Sequence, residues 1–468
     1  MGSTDAALIA IDRALGTDAL ITDRDQLQSY AKDESEATPV EPVAVVRVAS
    51  TADVAAVVQA ANDYGIPITP RGGGTSRVGG SVPEQGGLVL SFERMQEIRE
   101  VDRHDMTALV EPGVPTGLVH RAVEAEGLFY PPDPNSADTC AIGGNIGANA
   151  AGPRALKYGV TREYVLGMTV VTGDGTVLQL GKRTRKGVTG YDLTALMVGS
   201  EGTLGIVTEA RLKLIPKPEA IATMMVFVKG DVGVESVVNT AIRERLMPRC
   251  VELLDTVALE LVRPQAGLDI PKDATAMLLL ELDGSQTLLE GEVERLGNAL
   301  LDCGALDVLV AATSNERERL WSARRQLSYS MRRKATFKLS EDVVVPRPRI
   351  GDLLRYCRET AEREEILIPT YGHAGDGNLH VNFLWNSPDE RPRVDRAIEG
   401  LFRRTLELGG TLSGEHGLGL LKAPYLHLEQ SPALISYQKQ IKQVFDPKGI
   451  LNPSKVFSNP DRKFHGMC

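Results

Sequence analysis

The chain has 468 residues, of which 42% are hydrophobic and 24% charged, with a formal net charge of −10. This length exceeds what one hydrophobic core usually serves, so we expect two or three domains of ordinary globular composition. The acidic balance argues against a nucleic-acid-binding protein, which usually carries a basic surplus.

The cysteines are odd in number and widely spaced: Cys140, Cys250, Cys303, Cys357 and Cys468. Because no C-x-x-C pair occurs, they predict reduced thiols in a cytoplasmic protein rather than an iron–sulfur cluster, a thiolate zinc site or a disulfide framework. The N-terminus lacks the features of a signal peptide, and no run of about 18 apolar residues would span a membrane. Peripheral attachment to the inner membrane through a partner is compatible with this pattern.

Helix and strand signals alternate at the start of the chain. Residues 5–35 predict a helical segment and residues 42–48 a strand. Ser50 is the predicted N-cap of a helix that continues to Asn62. Residues 66–70 predict a second short strand.

A glycine-rich loop, R-G-G-G-T-S-R-V-G-G at residues 71–80, follows this strand. A loop so poor in Cβ atoms allows backbone N–H groups to converge on an anion such as a pyrophosphate. A Rossmann fingerprint would open a helix and be followed by an acidic residue about 20 positions later. Here the loop leads into a strand at residues 86–91, so we expect a phosphate loop between strands. A simple flexible turn is the alternative.

Two further glycine-rich regions follow, at residues 131–152 and 190–208, with a strand predicted between them at 167–172. Their small side chains indicate that the backbone itself approaches something flat or bulky. After residues 214–218, L-I-P-K-P, the glycine loops stop, which predicts a domain boundary. The remainder is typical of an α+β domain. Its predicted strands are at 223–228 and 276–282, and its predicted helices are at 288–301 and 350–362. The tail from Lys422 predicts a further helix near 435–444.

A histidine cluster lies late in the chain, in T-Y-G-H-A-G-D-G-N-L-H-V-N at residues 370–382. The Asp376-Gly377 pair predicts a tight turn between β-prone flanks, which would fold His373 back towards His380. In a strand, His380 and Asn382 point to the same face. A hairpin whose histidines only form hydrogen bonds is the simple alternative.

A second histidine motif, S-G-E-H-G-L-G, places Glu415 beside His416. Together with His373 and His380, Glu415 completes two imidazoles and one carboxylate, a set that can hold a divalent metal with open coordination positions. These ligand types suit zinc, manganese, iron or cobalt.

In this order the motifs resemble those of the FAD-linked 2-hydroxyacid dehydrogenases. These are vanillyl-alcohol-oxidase-type flavoproteins that include D-lactate dehydrogenase, the glycolate oxidase catalytic subunit and D-2-hydroxyglutarate dehydrogenase. The resemblance covers roughly residues 35–458. It is carried by P-R-G-G-G-T-S, T-C-A-I-G-G-N-I-G-A-N-A-A-G-P-R-A-L-K-Y-G, G-Y-D-L, G-S-E-G-T-L-G-I-V-T, G-H-A-G-D-G-N-L-H and S-G-E-H-G-L-G.

The resemblance implies an α+β protein with three parts. Residues 1–217 would form the FAD-binding domain, and residues 218–420 a substrate or cap domain with the metal site. Residues 421–468 would form a C-terminal helical segment that packs on the FAD domain.

The resemblance also implies which residues hold FAD. Thr75 stands where some relatives carry the histidine that attaches FAD, and Cys140 has no other element of a cysteinyl-flavin motif. We therefore expect non-covalent FAD. The implied cofactor-binding residues are Arg71, Gly72, Gly73, Gly74, Thr75, Ser76, Gly79, Pro132, Ser136, Gly143, Gly144, Gly147, Asn149, Ala150, Gly202, Ile206, Val207 and Asn452.

For catalysis, the resemblance implies that His373, His380 and Glu415 bind the metal. His416 would be the general base, because an imidazole titrates near working pH. Asn382 would reach the substrate or the metal. Arg324, ahead of Arg325, would grip the substrate carboxylate.

The substrate is expected to be a small D-2-hydroxy acid, with D-lactate or glycolate favoured. In the hydroxyglutarate branch a lysine meets the distal carboxylate, and its position falls on Ser340 here, whereas the lysine of this chain is Lys338. D-2-hydroxyglutarate dehydrogenase and a non-catalytic flavin electron-transfer subunit are the alternatives. A flavin-free zinc scaffold would leave the glycine loops unexplained. A quinone, a soluble carrier or an iron–sulfur subunit would accept the electrons, and the oligomeric state stays open, a homodimer included.

Overall fold

A computed structural model describes residues 2–458 of the chain. Its helices are α1 (Ser3–Leu15), α2 (Arg24–Leu27), α3 (Thr51–Tyr64), α4 (Thr116–Ala125), α5 (Ile142–Ala148), α6 (Ala155–Tyr158), α7 (Leu193–Met197), α8 (Gly230–Arg243), α9 (Thr256–Val262), α10 (Gln286–Asp302), α11 (Ser314–Lys334), α12 (Ile350–Glu364), α13 (Arg391–Glu407), α14 (Leu426–Glu429) and α15 (Pro432–Phe445). Single 3-10 turns lie at Thr17–Ala19, Gln28–Tyr30, Thr161–Tyr164, Arg263–Gln265, Arg347–Arg349, Pro388–Glu390 and Ala423–Tyr425.

The strands of the same residues are β1 (Leu20–Ile21), β2 (Ala44–Arg47), β3 (Ile68–Arg71), β4 (Leu88–Ser91), β5 (Ile98–Asp102), β6 (Thr107–Val110), β7 (Leu128–Phe129), β8 (Val165–Val171), β9 (Val177–Gly181), β10 (Ile206–Lys213), β11 (Ile215–Pro216), β12 (Ala220–Val228), β13 (Cys250–Leu254), β14 (Ala276–Gly284), β15 (Asp307–Ala311), β16 (Phe337–Val344), β17 (Thr370–His373) and β18 (Asn378–Trp385). Among the helices described, none combines the length and the apolar character that a transmembrane span needs.

The chain divides into two compact units. Among the described residues, the first unit combines residues 2–151, 160–217 and 415–458. The inserted unit combines residues 152–159 with residues 218–414. The first unit is therefore assembled from separate stretches of sequence.

The first unit contains two larger sheets. One has the strand order β1-β2-β4-β3, with parallel β2–β4 and β3–β4 pairs, and the other is antiparallel with the order β5-β6-β10-β8-β9. Helix α3 begins at Ser50, whose hydroxyl accepts from the backbone N–H of Asp53, and ends at Gly65 in the left-handed region. The apolar face of α3 packs in one core with Ile68, Val171 and Ile206, so this helix joins the two sheets.

The tail of the chain returns to the first unit. Ile68 N–H donates to the carbonyl of Ile450 at 2.8 Å, and Asn452 N–H donates to the carbonyl of Ile68 at 2.7 Å. The tail thereby continues the sheet edge at β3. The Asp446 carboxylate accepts from the backbone N–H groups of Ile450 and Leu451, which fixes the turn that leads into Asn452.

The inserted unit is built on one antiparallel sheet of order β15-β12-β14-β13-β17-β18-β16 among its described residues. Long apolar runs, such as the one buried along β14, show that both faces of the central strands are covered. Helices α9 and α11 pack over one apolar cluster with residues of β12, β13 and β14. The short helix α6 joins this unit because Lys157 and Tyr158 bond to Asp283 at the end of β14.

The α+β fold is confirmed, and the predicted strands and long helices occur within a few residues of their expected positions. Two local expectations are wrong. The helical segment expected at 5–35 is broken, because Leu20–Ile21 pairs antiparallel with Val45–Val46. Part of the second glycine-rich region, expected to be a loop, is helix α5. Gly143 is required by packing, because a Cβ on it would lie 2.7 Å from the Pro112 Cβ.

Candidate active site

The hairpin β17–β18 brings His373 and His380 together. The strands pair antiparallel with His373 opposite Asn378, and Gly377 closes the turn with a φ of 84°. Both rings are buried, their centroids are 5.3 Å apart, and their ligand atoms lie within 4.8 Å. The predicted fold-back of His373 towards His380 is confirmed.

The next strand supplies a carboxylate to this pair. Glu252 lies opposite His373 in the β13–β17 register, and its Oε1 forms a short hydrogen bond with His373 Nδ1. Burial alone would raise the pKa of the Glu252 carboxyl. The charge and hydrogen bond of His373, together with Arg324 and His380, outweigh burial and hold that pKa at about 2. Glu252 therefore stays ionised.

Sequence reasoning missed Glu252, although a signal was present. C-V-E-L-L at residues 250–254 is an apolar strand with one charged residue at its centre. A fully buried charge without a partner is costly, so a lone carboxylate there indicates a specific cation or donor nearby. That partner, His373, lies 121 positions further along the chain.

Arg324 lies on α11 beside the histidine pair. Its Nη2 and Nε are 3.1 and 3.2 Å from Glu252 Oε2, and its guanidinium carbon lies 4.4 Å from the centre of the Tyr371 ring. The Tyr371 ring in turn contacts His380, with centroids 5.3 Å apart. The arginine expected to grip a substrate carboxylate is therefore already paired with a protein carboxylate and stacked on an aromatic face. Arg325, the second choice, is half exposed and pairs with Glu318.

Asp342 is a second buried carboxylate that sequence reasoning did not single out. It lies opposite His380 in the β16–β18 register, and their ligand atoms lie within 4.8 Å. Its Oδ2 accepts from Ser413 Oγ at 3.1 Å and from Gly414 N–H at 2.9 Å. Asp342 thus anchors the residues that directly precede Glu415.

Asn382 is fully buried on β18. Its Nδ2 donates to the carbonyls of His380 and Pro369, whereas its Oδ1 accepts no hydrogen bond from residues 2–458. An unsatisfied buried acceptor is unusual in a native protein. The Asn382 side chain thus has one acceptor to offer to a bound group.

Glu415 and His416 belong to the first unit, at the start of its last stretch. The nearest atoms of the two side chains, His416 Nε2 and Glu415 Oε1, are 3.9 Å apart. Just beyond them the Glu201 carboxylate accepts from the N–H groups of Leu418 and Gly419, at 2.7 and 2.8 Å. Burial raises the pKa of Glu201, against the effect of these two donors. The metal set of Glu415 with His373 and His380 stays a prediction.

The first glycine loop connects β3 to β4 without a helix in the residues described, as expected. A Cβ on Gly73 would collide with the carbonyl oxygen of Thr139, so the first two glycine regions touch backbone to backbone. The Arg71 guanidinium donates to the carbonyls of Lys32 and Ser29. Burial lowers the pKa of this arginine.

The third glycine region meets the tail at Asn452. Asn452 Nδ2 donates to the carbonyls of Gly80 and Glu201, at 3.0 and 2.7 Å, while its Oδ1 is buried and accepts no hydrogen bond from the described residues. A Cβ on Gly202 would lie 2.6 Å from Pro70 Cγ. In the first unit, the first glycine region, the third glycine region and the tail therefore meet at Asn452. Its Oδ1 is a buried acceptor without a hydrogen bond from the described residues.

Thr75, Ser76 and Gly79 of the expected cofactor set lie on the first glycine loop with residues 71–74. Apart from Asn452 in the tail, the others lie on the second and third glycine regions. Helix α5 carries Gly143, Gly144 and Gly147 and ends at Asn149 in the left-handed region, followed by Ala150. Cys140 is buried, with its Sγ 3.3 Å from Thr116 Oγ1. Ile206 and Val207 begin β10.

Comparisons with known proteins identify the family of the chain. Residues 42–181 match the FAD binding domain family model, and residues 217–456 match that of FAD linked oxidases, C-terminal domain. The glycolate oxidase subunit GlcD of Bacillus subtilis is 42% identical over 424 residues, which are 90% of each chain. D-lactate dehydrogenase of Anaerostipes hadrus is 35% identical over 96% of this chain and 95% of that protein.

Two further matches span almost the whole length. D-2-hydroxyglutarate dehydrogenase of Stutzerimonas stutzeri is 33% identical over 97% of this chain and 100% of that protein. The crystal structure of p-cresol methylhydroxylase with substrate bound superposes with a TM-score of 0.81 at 18% identity, covering 99% of this chain and 98% of that one. The latter likeness shows the fold, that of the vanillyl-alcohol-oxidase-type flavoproteins.

Fold and domain matches together define an FAD-binding oxidoreductase. Within that class, the chain belongs to the FAD-linked oxidase family whose members include glycolate oxidase, D-lactate dehydrogenase and D-2-hydroxyglutarate dehydrogenase.

Proposed function

We propose that this protein oxidises a small D-2-hydroxy acid, D-lactate or glycolate before others, to the 2-oxo acid. The observation that supports this most is the pairing of the His373–His380 hairpin with Arg324 through one carboxylate, Glu252. Imidazoles and a guanidinium in one buried cluster suit a substrate that carries a hydroxyl next to a carboxylate. Two of the relatives act, by their names, on glycolate and D-lactate.

In this proposal His373, His380 and Glu415 hold a divalent metal. The donor set fits, since a ligating histidine usually gives its other ring nitrogen to a carboxylate, as His373 gives Nδ1 to Glu252. When bound, the metal would act as a Lewis acid that makes the substrate hydroxyl easier to deprotonate. Zinc, manganese, iron and cobalt all suit these ligands.

The chain's own groups then divide the work. His416 takes the hydroxyl proton, Arg324, whose guanidinium lies over the Tyr371 ring, holds the substrate carboxylate, and Asn382 offers its buried amide oxygen to the substrate. Each role uses an atom suited to it: an imidazole nitrogen, a planar donor fork and a buried acceptor.

The first unit would hold FAD non-covalently, and the bound FAD would supply the hydride acceptor for the α-carbon. The glycine loop at 72–76, helix α5 and the orphan acceptor of Asn452 fit a dinucleotide that touches backbone rather than side chains. Thr75 offers no imidazole for attachment. A separate acceptor, whether a quinone, a soluble carrier or an iron–sulfur subunit, then removes the electrons.

The proposal is tested by mixing the purified protein anaerobically with D- and L-2-hydroxy acids and following bleaching of the flavin absorbance. D-lactate or glycolate should bleach it with a higher kcat/KM than D-2-hydroxyglutarate, and L-isomers should do so poorly. Absence of bleaching by every 2-hydroxy acid would favour a non-catalytic electron-transfer subunit.

D-2-hydroxyglutarate is the second candidate, favoured by the full-length relative of that name. Against it, Ser340 stands opposite Asn382 in the β16–β18 register, whereas Lys338 stands opposite Leu384. Two positions along a strand displace a side chain by about 6.6 Å on the same face. A preference of about tenfold for D-2-hydroxyglutarate, about 1.4 kcal/mol in transition-state binding, would reverse the choice.

A further inference from the structure

Glu252 is a single buried carboxylate held between two functional groups. Its Oε1 bonds to His373 Nδ1, and its Oε2 lies 3.1 Å from Arg324 Nη2 and 3.2 Å from Arg324 Nε. The side chain of Glu252 is 1% exposed, and that of Arg324 is 12% exposed. Water therefore screens neither contact strongly.

The backbone around Glu252 gives no structural reason for a charge. Its neighbours on β13 are apolar, and in the adjacent strand it stands opposite Leu279. Replacing a whole buried ion cluster by apolar side chains commonly leaves stability unchanged or higher, although removing one partner alone is destabilising, so a buried ion pair is weak evidence for a stabilising role. The charge at this position is therefore better explained by what it does to His373 and Arg324.

The single negative charge of the Glu252 carboxylate cannot interact at full strength with both the His373 imidazole and the Arg324 guanidinium. The more strongly Arg324 engages Oε2, the weaker the field of that carboxylate at the His373 N–H. A carboxylate on Nδ1 fixes the ring orientation and raises the basicity of Nε2, which is what a metal ligand requires. Arg324 and His373 thus compete for the same carboxylate.

We propose that Glu252 is a positioning residue that couples the metal site to the substrate-carboxylate site. It orients the His373 ring for metal binding, and it keeps the Arg324 side chain in place until a substrate carboxylate binds there. When a substrate carboxylate engages Arg324, more of the Glu252 charge acts on His373, so that substrate and metal strengthen each other's binding. This inference rests on the proposed function, because it assumes that His373 is a ligand.

The test is the Zn²⁺ affinity of the FAD-loaded protein without substrate, measured by calorimetry against a competing chelator. Glu252→Gln keeps the shape and one acceptor but removes the charge, and it should weaken Zn²⁺ binding about tenfold or more. Arg324→Met should change it in the opposite direction, tightening binding about threefold or more, because Glu252 then serves His373 alone.

The double variant separates coupling through Glu252 from simple repulsion between Arg324 and the metal. If Glu252 transmits the effect, Arg324→Met will tighten Zn²⁺ binding little once Glu252 is glutamine. If the same tightening persists in the Glu252→Gln background, the coupling role is wrong.

The matched control is Glu281→Gln. Glu281 is also a buried carboxylate of this sheet and also pairs with an arginine of α11, Arg317, but its other partners are Arg249, Trp321 and Thr223. Its substitution should leave the Zn²⁺ affinity unchanged. An equal loss in Glu281→Gln and Glu252→Gln would reduce Glu252 to a structural residue.

Failure of the coupling and failure of the proposed function give different results. If the wild-type protein binds Zn²⁺ and His380→Ala abolishes that binding, the metal site stands, and an unchanged Kd in Glu252→Gln removes only the coupling. If wild-type protein with intact flavin binds no Zn²⁺, Mn²⁺ or Co²⁺, both proposals fall together. Thermal unfolding of each variant shows whether it is folded.

Discussion

At the scale of single residues, buried carboxylates differ in role and in pKa according to the groups that donate hydrogen bonds to them. Glu201 accepts two backbone N–H groups, Glu252 balances an imidazole and a guanidinium, and Asp255 caps α9 by accepting from Ala258 N–H at 2.8 Å. Only Glu252 has cationic side chains close enough to pull its pKa down to about 2. For Asp255, burial dominates and raises the pKa to about 7.

Asp255 should therefore make stability depend on pH. In the unfolded chain its carboxyl loses its proton near pH 4, whereas in the folded protein it keeps the proton up to about pH 7. The folded state binds more protons in this window, so this residue's contribution to stability falls as pH rises through it. Asn at position 255 keeps the cap and stays neutral. We expect Asp255→Asn to gain in melting temperature over the wild type between pH 5 and pH 8, in scans at matched pH. A difference in melting temperature between Asp255→Asn and the wild type that stays constant with pH would contradict this prediction.

His416 is expected to be the base. His416→Ala should retain FAD and metal yet slow flavin reduction by the substrate about 10²–10⁴-fold, the usual effect of removing a general base. The measurement is stopped-flow bleaching with metal analysis of the same sample. His427→Ala is the matched control, since His427 lies in the same unit and bonds to the carbonyl of Pro424. Loss of metal from His416→Ala, with recovery when metal is added, would make His416 a ligand instead.

At the scale of elements, local signals predicted the hairpin but not its partners. Asp376-Gly377 between β-prone flanks was enough for the turn, and Ser50 was enough for the start of α3. Glu252 and Asp342 reach the histidines only through pairing with strands distant in sequence, which no local pattern encodes. Helix α5 was missed because glycine lowers helix propensity. The close approach of Pro112 nevertheless requires a glycine in this helix.

Helix α5 offers a test of the cofactor site. A Cβ on Gly144 would have no protein atom within 4 Å, so Gly144→Ala should leave the apoprotein at least as stable. If FAD lies against this backbone, the added methyl group will weaken FAD binding, seen as lower flavin content after gel filtration.

Gly291→Ala in α10 is the control, because its Cβ would also meet open space. It should change stability in the same direction and leave flavin content unchanged. Wild-type FAD affinity in Gly144→Ala would place the cofactor elsewhere.

At the scale of the whole molecule, the proposed metal ligands lie outside the glycine regions, so cofactor and metal should be separable. Treatment with a chelator should abolish turnover while the protein stays yellow, and His380→Ala should behave in the same way. Re-addition of metal should restore activity to the chelated wild type but not to His380→Ala. Full activity in a preparation shown to be metal-free would remove the Lewis-acid role.

The divided first unit has a consequence for biosynthesis. Residues 218–414 form a continuous stretch with their own sheet, so this unit can fold as soon as it leaves the ribosome, apart from the short 152–159 segment already made. The first unit must wait, because Ile68 and Gly80 find partners in Ile450 and Asn452 only after residues 218–414 and the following stretch have been synthesised. Until then the edge of β3 and the glycine loop lack those contacts. FAD capture is therefore expected to be a late event, and this stretch of nascent chain is the one most in need of protection by chaperones.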